Sequence, residues 1–348
     1  MPEGPELQLA SKFVNEVSEG RLFGGPVQKS PVSKSCDVDF TSPAYSITSE
    51  SRGKELALTL SCQKDARNQL RLLFRFGMSG RFVFGPATDM HKHAHLNFFT
   101  TAATASDSAG AVYALSFVDP RRFGSWHVTD GWGKDRGPDP MLEYGAFRSN
   151  VLGNLDDAAF NKPICEAMLN QKYFNGIGNY LRAEILYRSR IPPFLRARDV
   201  LSPLKDADSC SESSDILQLC HSAPLEVVKL GKYISTYTQE EDMQDSPFRR
   251  WLQCYLNPLM RNMVDHNGRT IWFSGEPGPL APKGGKTRHS GFKLKANRTK
   301  SEAVKREALD GVALELLSAV RCVLGVCVGV VLHRPLSQTL SLTQHPTT

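Results

Sequence analysis

A multidomain α+β fold is what this sequence predicts, on three observations. Residues 27–128 form a series of short β-rich runs broken by Gly, Pro, Ser and Asp. After a turn-rich segment at 131–140, apolar residues recur at helical spacing. Further on, Asn267-Gly268 stands before an Arg269-Thr270-Ile271-Trp272-Phe273 run, a two-residue β-hairpin signal. The 348 residues are enough for two domains with additions, since one domain takes roughly 100–200 residues. Hydrophobic residues at 41% and charged residues at 22% exclude a wholly disordered chain, a collagen-like chain and a coiled-coil rod.

The elements follow in order. Leu7, Leu9, Ala10, Phe13, Val14 and Val17 recur near helical spacing and predict a helix over 5–19. Pro5 suits its first turn, Glu6 suits its positive end, and Gly24-Gly25-Pro26 closes the segment. Strands are predicted at 45–48, 55–60, 70–76, 82–84, 95–99 and 114–118, a spacing that fits a sandwich or a barrel. Residues 102–110, small and polar, read as a hairpin loop. Helices are predicted at 142–152, 156–160, 163–169, 179–190, 214–230 and 247–255, with Asp156 and Asn161 as caps. A polar loop is expected at 231–246.

Charge is concentrated. The chain carries +6 with pI ≈ 8.8. Residues 283–306 alone hold nine Lys/Arg and one Glu, a local charge of +8, which leaves the remainder at −2. Such a segment reads as a solvated, disordered tail that also tethers to nucleic acid or directs nuclear import. Residues 312–332 are apolar-rich, but the uncharged stretch within them, 322–332, is 11 residues, against roughly 20 needed to span a bilayer. No membrane association is expected. The eight cysteines show no C-x-x-C pair, so a ribbon-type zinc site is not expected. With no signal-peptide pattern at the start, they read as reduced thiols of an intracellular protein.

Four features carry chemistry. Met1-Pro2-Glu3 offers a proline amine once the initiator Met is removed, and a secondary amine can form a positively charged imine with a sugar or aldehyde carbon. Glu3 beside it can give or take a proton. Ser51-Arg52-Gly53-Lys54 places a Lys where a turn enters a strand. Asn175-Gly176-Ile177-Gly178-Asn179, set between helical runs, lets backbone N–H groups and a helix start approach a phosphate. His91, His93 and His95 alternate as residues on one strand face would, but lack a partner carboxylate nearby, so metal binding is not expected.

These strings occur in one order with Arg75-Phe76-Gly77-Met78-Ser79-Gly80 and Asp119-Pro120-Arg121-Arg122-Phe123-Gly124 between them. The arrangement resembles the formamidopyrimidine-DNA glycosylase/endonuclease VIII family of DNA glycosylases over residues 1 to about 288. The strings at 174–187 and 266–273 narrow the resemblance to its vertebrate, zincless-finger branch. The family's usual two C-x-x-C pairs are absent here; only Cys254 stands near the expected place.

The resemblance implies an N-terminal catalytic β-sandwich with flanking helices at 2–130 and a helix–two-turn–helix DNA-binding domain at 131–246. A zincless finger hairpin at 247–288 and a poorly ordered tail at 289–348 follow. It implies base-excision repair by a bifunctional DNA glycosylase/abasic-site lyase that removes oxidised pyrimidines and ring-opened purines. Pro2 is then the Schiff-base nucleophile, Glu3 the acid and Lys54 the proton-transfer aid. Asn179 and Arg269 grip phosphates, and Met78, Arg121 and Phe123 fill the space left by the flipped-out nucleotide. The loop near Gly231-Lys232-Tyr233 closes over the flipped base. No cofactor is required, because the imine is the electron sink, and no metal is expected. Partners are damaged DNA, double- or single-stranded, with replication and repair proteins besides; the chain acts as a monomer in the nucleus. Two rivals, a damage-recognition module without catalysis and an N-terminal-proline tautomerase, fit the intact Pro2, Glu3 and Lys54, or the helical DNA module, less well.

Overall fold

In the computed structural model the described residues are 2–65, 67–101, 111–205, 215–231 and 246–284, with the backbone of 288–289. The predicted first helix is α1, Gly4–Ser18, with Leu7, Ala10 and Val14 on its buried face. Gly24-Gly25-Pro26 does not close that helix. It belongs to strand β1, Phe23–Pro26, which pairs with β3, Thr41–Arg52, through a register irregularity. Glycines inside a strand often mark such a bulge.

Two antiparallel sheets face each other across one core. The first runs in the order β1, β3, β4 (Glu55–Cys62), β5 (Gln69–Arg75), β9 (Ser125–Val128). The second runs β2 (Gln28–Lys29), β7 (Ala94–Phe99), β8 (Tyr113–Val118), β6 (Arg81–Pro86). Their inner faces meet through aromatic rings. Phe74 of β5 lies 5.1 Å from Phe82 of β6 and 5.2 Å from Phe117 of β8, ring centre to ring centre. Such pairs contribute about 0.5–1.5 kcal/mol each beyond their burial. The strands are therefore a sandwich, and α1 closes one side of its core through Leu7 and Val14.

The helical region has its own core. Helices α2 (Tyr144–Gly153), α3 (Ile164–Ala167), α4 (Asn179–Arg188), α5 (Ala197–Leu201) and α6 (Ile216–Lys229) bury Phe147, Ile164, Leu181, Ala197 and Leu217 together. The predicted helix at 156–160 is a 3-10 turn, Ala158–Asn161, and its cap is Asp157, whose carboxylate accepts from the Ala159 N–H, not Asp156.

The finger completes this second core. After α7 (Pro247–Trp251), strands β10 (Arg261–Val264) and β11 (Thr270–Phe273) pair antiparallel, with β12 (Arg288–His289) beside β10. Met263, Ile271 and Phe273 insert among the helices. The hairpin turn is wider than the two residues expected. Val264 pairs with Thr270, and the Asp265 carboxylate collects the N–H groups of Asn267 and Arg269. A local carboxylate acceptor thus replaces the tight turn.

All described residues belong to one compact unit, Met1–Gly291. The expected loop at 102–110, residues 232–245 of the loop expected at 231–246, and the tail from residue 290 lie outside the described residues. Among the described residues no helix is long and apolar enough to cross a membrane.

Candidate active site

The chain's third residue caps a helix that begins at its 179th. Glu3 is buried, and its carboxyl accepts from the N–H groups of Gly178 at 2.7 Å, Tyr180 at 2.9 Å and Leu181 at 3.2 Å. The Gly4 N–H donates to Gly176 O at 2.9 Å, binding the same two segments. This corrects one expectation: the N–H groups at the start of α4, read as a phosphate cradle, are occupied by Glu3. Gly178 is needed for that approach, since a Cβ there would lie 2.3 Å from the Glu3 carboxyl carbon.

Lys54 arrives from the β3–β4 turn. Its Nζ donates to Ile177 O at 2.7 Å, at the foot of the same helix. The turn is held there by Gly53, whose φ of +57° is accessible to glycine and whose missing Cβ would sit 1.9 Å from Asn175 Oδ1. The Gly53 N–H donates to Asp139 at 2.7 Å. Pro2 is half-buried and directly precedes Glu3. Four separate strings of the sequence are thereby brought together at one point: Pro2-Glu3, Gly53-Lys54, the Asp139 turn and 175–181.

The electrostatics suit proton transfer. Burial pushes the Glu3 carboxyl up from the ordinary carboxylate range, against the lowering effect of Lys54 and the three N–H groups. Burial pulls the Lys54 amine down to about 8, an effect that the charge of Glu3 opposes and that Arg136 and Arg269 reinforce. Glu6 is raised to about 7 by burial and by the nearby Glu3 charge. Its carboxyl also receives the Tyr180 hydroxyl at 3.0 Å and the Glu3 N–H at 2.8 Å. A site holding three groups displaced towards neutral pH can move protons where unperturbed side chains would not. Glu6 was read in the sequence only as a helix-start charge. Its place in the site depends on Tyr180, 174 residues away, and no local spacing marks that.

Met78 and Phe123 stand on two neighbouring turns and are 44% and 64% exposed. Arg121 Nη1 lies 3.6 Å from Met78 Sδ, so all three predicted void-fillers share one surface. Buried Asp119 joins the turns: its carboxylate accepts from Ser79 Oγ and from the N–H groups of Arg121 and Gly124. Arg122 between them adopts φ 57°, a left-handed conformation that costs a non-glycine residue about 1–2 kcal/mol. Beside this turn a cavity of about 310 Å³ is lined by Lys34, His95, Asp119, Arg121 and Trp126.

Asn179 and Arg269 stand on the finger side of this site. Asn179 Nδ2 donates to Thr270 O at 3.0 Å, which places it against the finger, and the Arg269 side chain is exposed on the hairpin turn. The three histidines do not share a strand face. Among them only His95 lies in β7, buried, with Nε2 3.0 Å from Asp119 O. Lys232 and Tyr233, named for the closing loop, lie outside the described residues.

Residues 1–126 match the formamidopyrimidine-DNA glycosylase N-terminal domain, and residues 245–282 match the endonuclease VIII-like 1 DNA-binding family. The chain is 50% identical over 325 residues to human Endonuclease 8-like 1, covering 89% of this chain and 81% of the relative. It is 51% identical to the mouse protein of the same name over 303 residues, covering 82% and 76%. Among solved structures it superposes on the Thermus thermophilus MutM (Fpg) protein with a TM-score of 0.57, at 20% identity, covering 78% of this chain and 97% of that one. A Lactococcus lactis formamidopyrimidine-DNA glycosylase non-covalently bound to DNA containing an abasic site gives a TM-score of 0.54 with the same coverage and identity. These structural matches show a shared fold.

Proposed function

The chain belongs to the endonuclease VIII-like/formamidopyrimidine-DNA glycosylase family, a DNA glycosylase with abasic-site lyase activity in base-excision repair, and from that premise we propose that its Pro2 amine is the nucleophile that removes oxidised pyrimidines and ring-opened purines. One observation carries the reading. The buried Glu3 carboxyl and the Lys54 amine meet at the opening of α4, one residue from Pro2.

The chemistry follows from those groups. The amine attacks C1′ of the damaged nucleotide and the C–N bond to the base breaks. The raised carboxyl of Glu3 delivers the proton that this bond cleavage calls for. The resulting iminium draws electrons from the opened sugar, so both phosphates leave in turn by β- and δ-elimination. Lys54 assists these proton transfers and sits near the backbone phosphate. A base inside a duplex must first be extruded; exposed Met78, Arg121 and Phe123 are shaped to occupy the space it vacates. Asn179 and Arg269 grip the flanking phosphates. Double- and single-stranded damaged DNA are both substrates. Monomeric action in the nucleus, with replication and repair proteins as partners, completes the proposal.

Borohydride trapping on a duplex carrying one oxidised pyrimidine tests it. The expected result is a DNA adduct on a peptide beginning at Pro2. An adduct on a lysine peptide, or none from an enzyme that binds the duplex tightly, overturns the role of Pro2.

A further inference from the structure

Zinc in a finger ties two chain segments together through four ligands. Here α4 joins the finger at two places through buried charges. Glu184, fully buried, accepts the N–H groups of Gln253 at 3.0 Å, Cys254 at 2.8 Å and Tyr255 at 2.8 Å, which fixes the strand-side approach to the hairpin. Arg182, two residues earlier and also fully buried, reaches the hairpin itself. Its Nη1 donates to Asp265 Oδ2 at 2.8 Å and to Cys165 O at 2.9 Å, and its Nη2 donates to Thr270 O at 3.3 Å.

Asp265 uses its other oxygen on the turn. Oδ1 accepts the Arg269 N–H at 2.8 Å and the Asn267 N–H at 3.0 Å. The Asp265 N–H donates to Arg269 O at 2.8 Å. The backbone of Arg269 is therefore held on both sides by one buried residue, its N–H by the Asp265 carboxylate and its C=O by the Asp265 N–H, and that carboxylate is held by Arg182. Thr270 O, accepting from Arg182, also accepts from Asn179 Nδ2 at 3.0 Å. Arg269 and Asn179 lie ninety residues apart in the chain, yet both take their position from the same small network.

We propose that Arg182 and Asp265 are positioning residues for the phosphate grip, setting the exposed Arg269 relative to Asn179 in a finger held by buried charges. The proposal rests on Arg269 and Asn179 contacting phosphate. Arg182 touches no DNA itself; it acts through the Asp265 turn. A buried pair of this kind is weak support for stability, because desolvation offsets its attraction. Its geometry, with the guanidinium fork matched to a carboxylate and two carbonyls, defines one position for the turn.

The test is the salt dependence of binding to a duplex with a stable abasic-site analogue. Each phosphate contact contributes about 0.9 to the slope of log K against log salt concentration. Arg269→Ala is the reference and lowers the slope by about 0.9; if it does not, the phosphate reading fails. Asp265→Asn makes the protein more positive, so overall charge alone would tighten binding. Positioning predicts the reverse: a slope lowered towards that of Arg269→Ala, and no further loss when the two changes are combined. A wild-type slope for Asp265→Asn, or a loss that adds in full to that of Arg269→Ala, overturns the proposal. The charge-neutral swap of Arg182→Met with Asp265→Leu keeps buried volume. Melting curves identify the folded variants, and a folded swap with the wild-type slope overturns the proposal equally.

Discussion

Around Glu3 every carboxyl oxygen meets a backbone donor, and the carboxyl is closed off from water. Around Met78 and Phe123 the side chains face outward, and order lies beneath them, in the Asp119 carboxylate that joins their turns. The first region places its functional atoms directly by hydrogen bonds. The second places only the backbone and leaves the tips exposed. The difference matches the demands: a proton must travel along a defined path, while a plug must enter whatever space a departing nucleotide leaves. Damage to the first region should therefore appear in rate, and damage to the second in duplex binding.

The sharpest break is Glu3→Gln. The amide keeps the shape but offers one acceptor oxygen in place of two and has no acidic proton to give, so base excision in single turnover falls by about 10²–10⁴-fold. Nicking of a preformed abasic site, which needs no base to leave, is retained; equal loss of both steps would remove Glu3 as the acid. Gly178→Ala comes next. Its Cβ would lie 2.3 Å from the Glu3 carboxyl carbon, so the acid must shift. A displacement near 1 Å costs about 10²-fold in rate, and substrate affinity should change far less.

Phe123→Ala tests the second region. The side chain is 64% exposed, so folding stability should stay within about 0.5 kcal/mol. Lesion-duplex affinity should drop by about 1–3 kcal/mol, the scale of base–aromatic stacking. Affinity for a single-stranded lesion, which leaves no gap between stacked pairs, should hold, and an equal drop for both DNAs would deny Phe123 its plugging role. The last test concerns pH. Lys54 titrates near 8 in the folded protein against 10.5 ordinarily. Between those values the unfolded chain carries a proton that the folded one lacks. The contribution of Lys54 to stability is thus present above 10.5 and lost as pH falls through 8. Relative to Lys54→Met, the wild type should gain melting temperature as pH rises across that window.

What the sequence disclosed depended on distance along the chain. Strands β3 to β8 were legible because apolar runs between Gly, Pro and Asp are local signals. β1 was missed because Gly24-Gly25-Pro26 looks like punctuation and becomes a strand only against β3. Pro2, Glu3, Lys54 and Asn179 were legible as motif strings whose order pointed to one family. The meeting of Glu6 with Tyr180, of Asp119 with two turns, and of Arg182 with Asp265 had no such signal. A buried polar pair needs only a donor and an acceptor that the fold brings together, and any spacing will do. The helix start at 178–181 shows the same limit. Its N–H groups meet oxygen acceptors, but those oxygens come from the chain itself.

That internal carboxyl has a consequence for how the protein is made. Glu3 is made well before the amides that hold it, which belong to residues 178–181. At about 5–20 residues per second, synthesis leaves roughly 10–35 s between the two. Through that interval Glu3 has none of the N–H groups that hold its carboxyl in place. The acid exists long before the groups that position it, and no truncation short of α4 can assemble its setting.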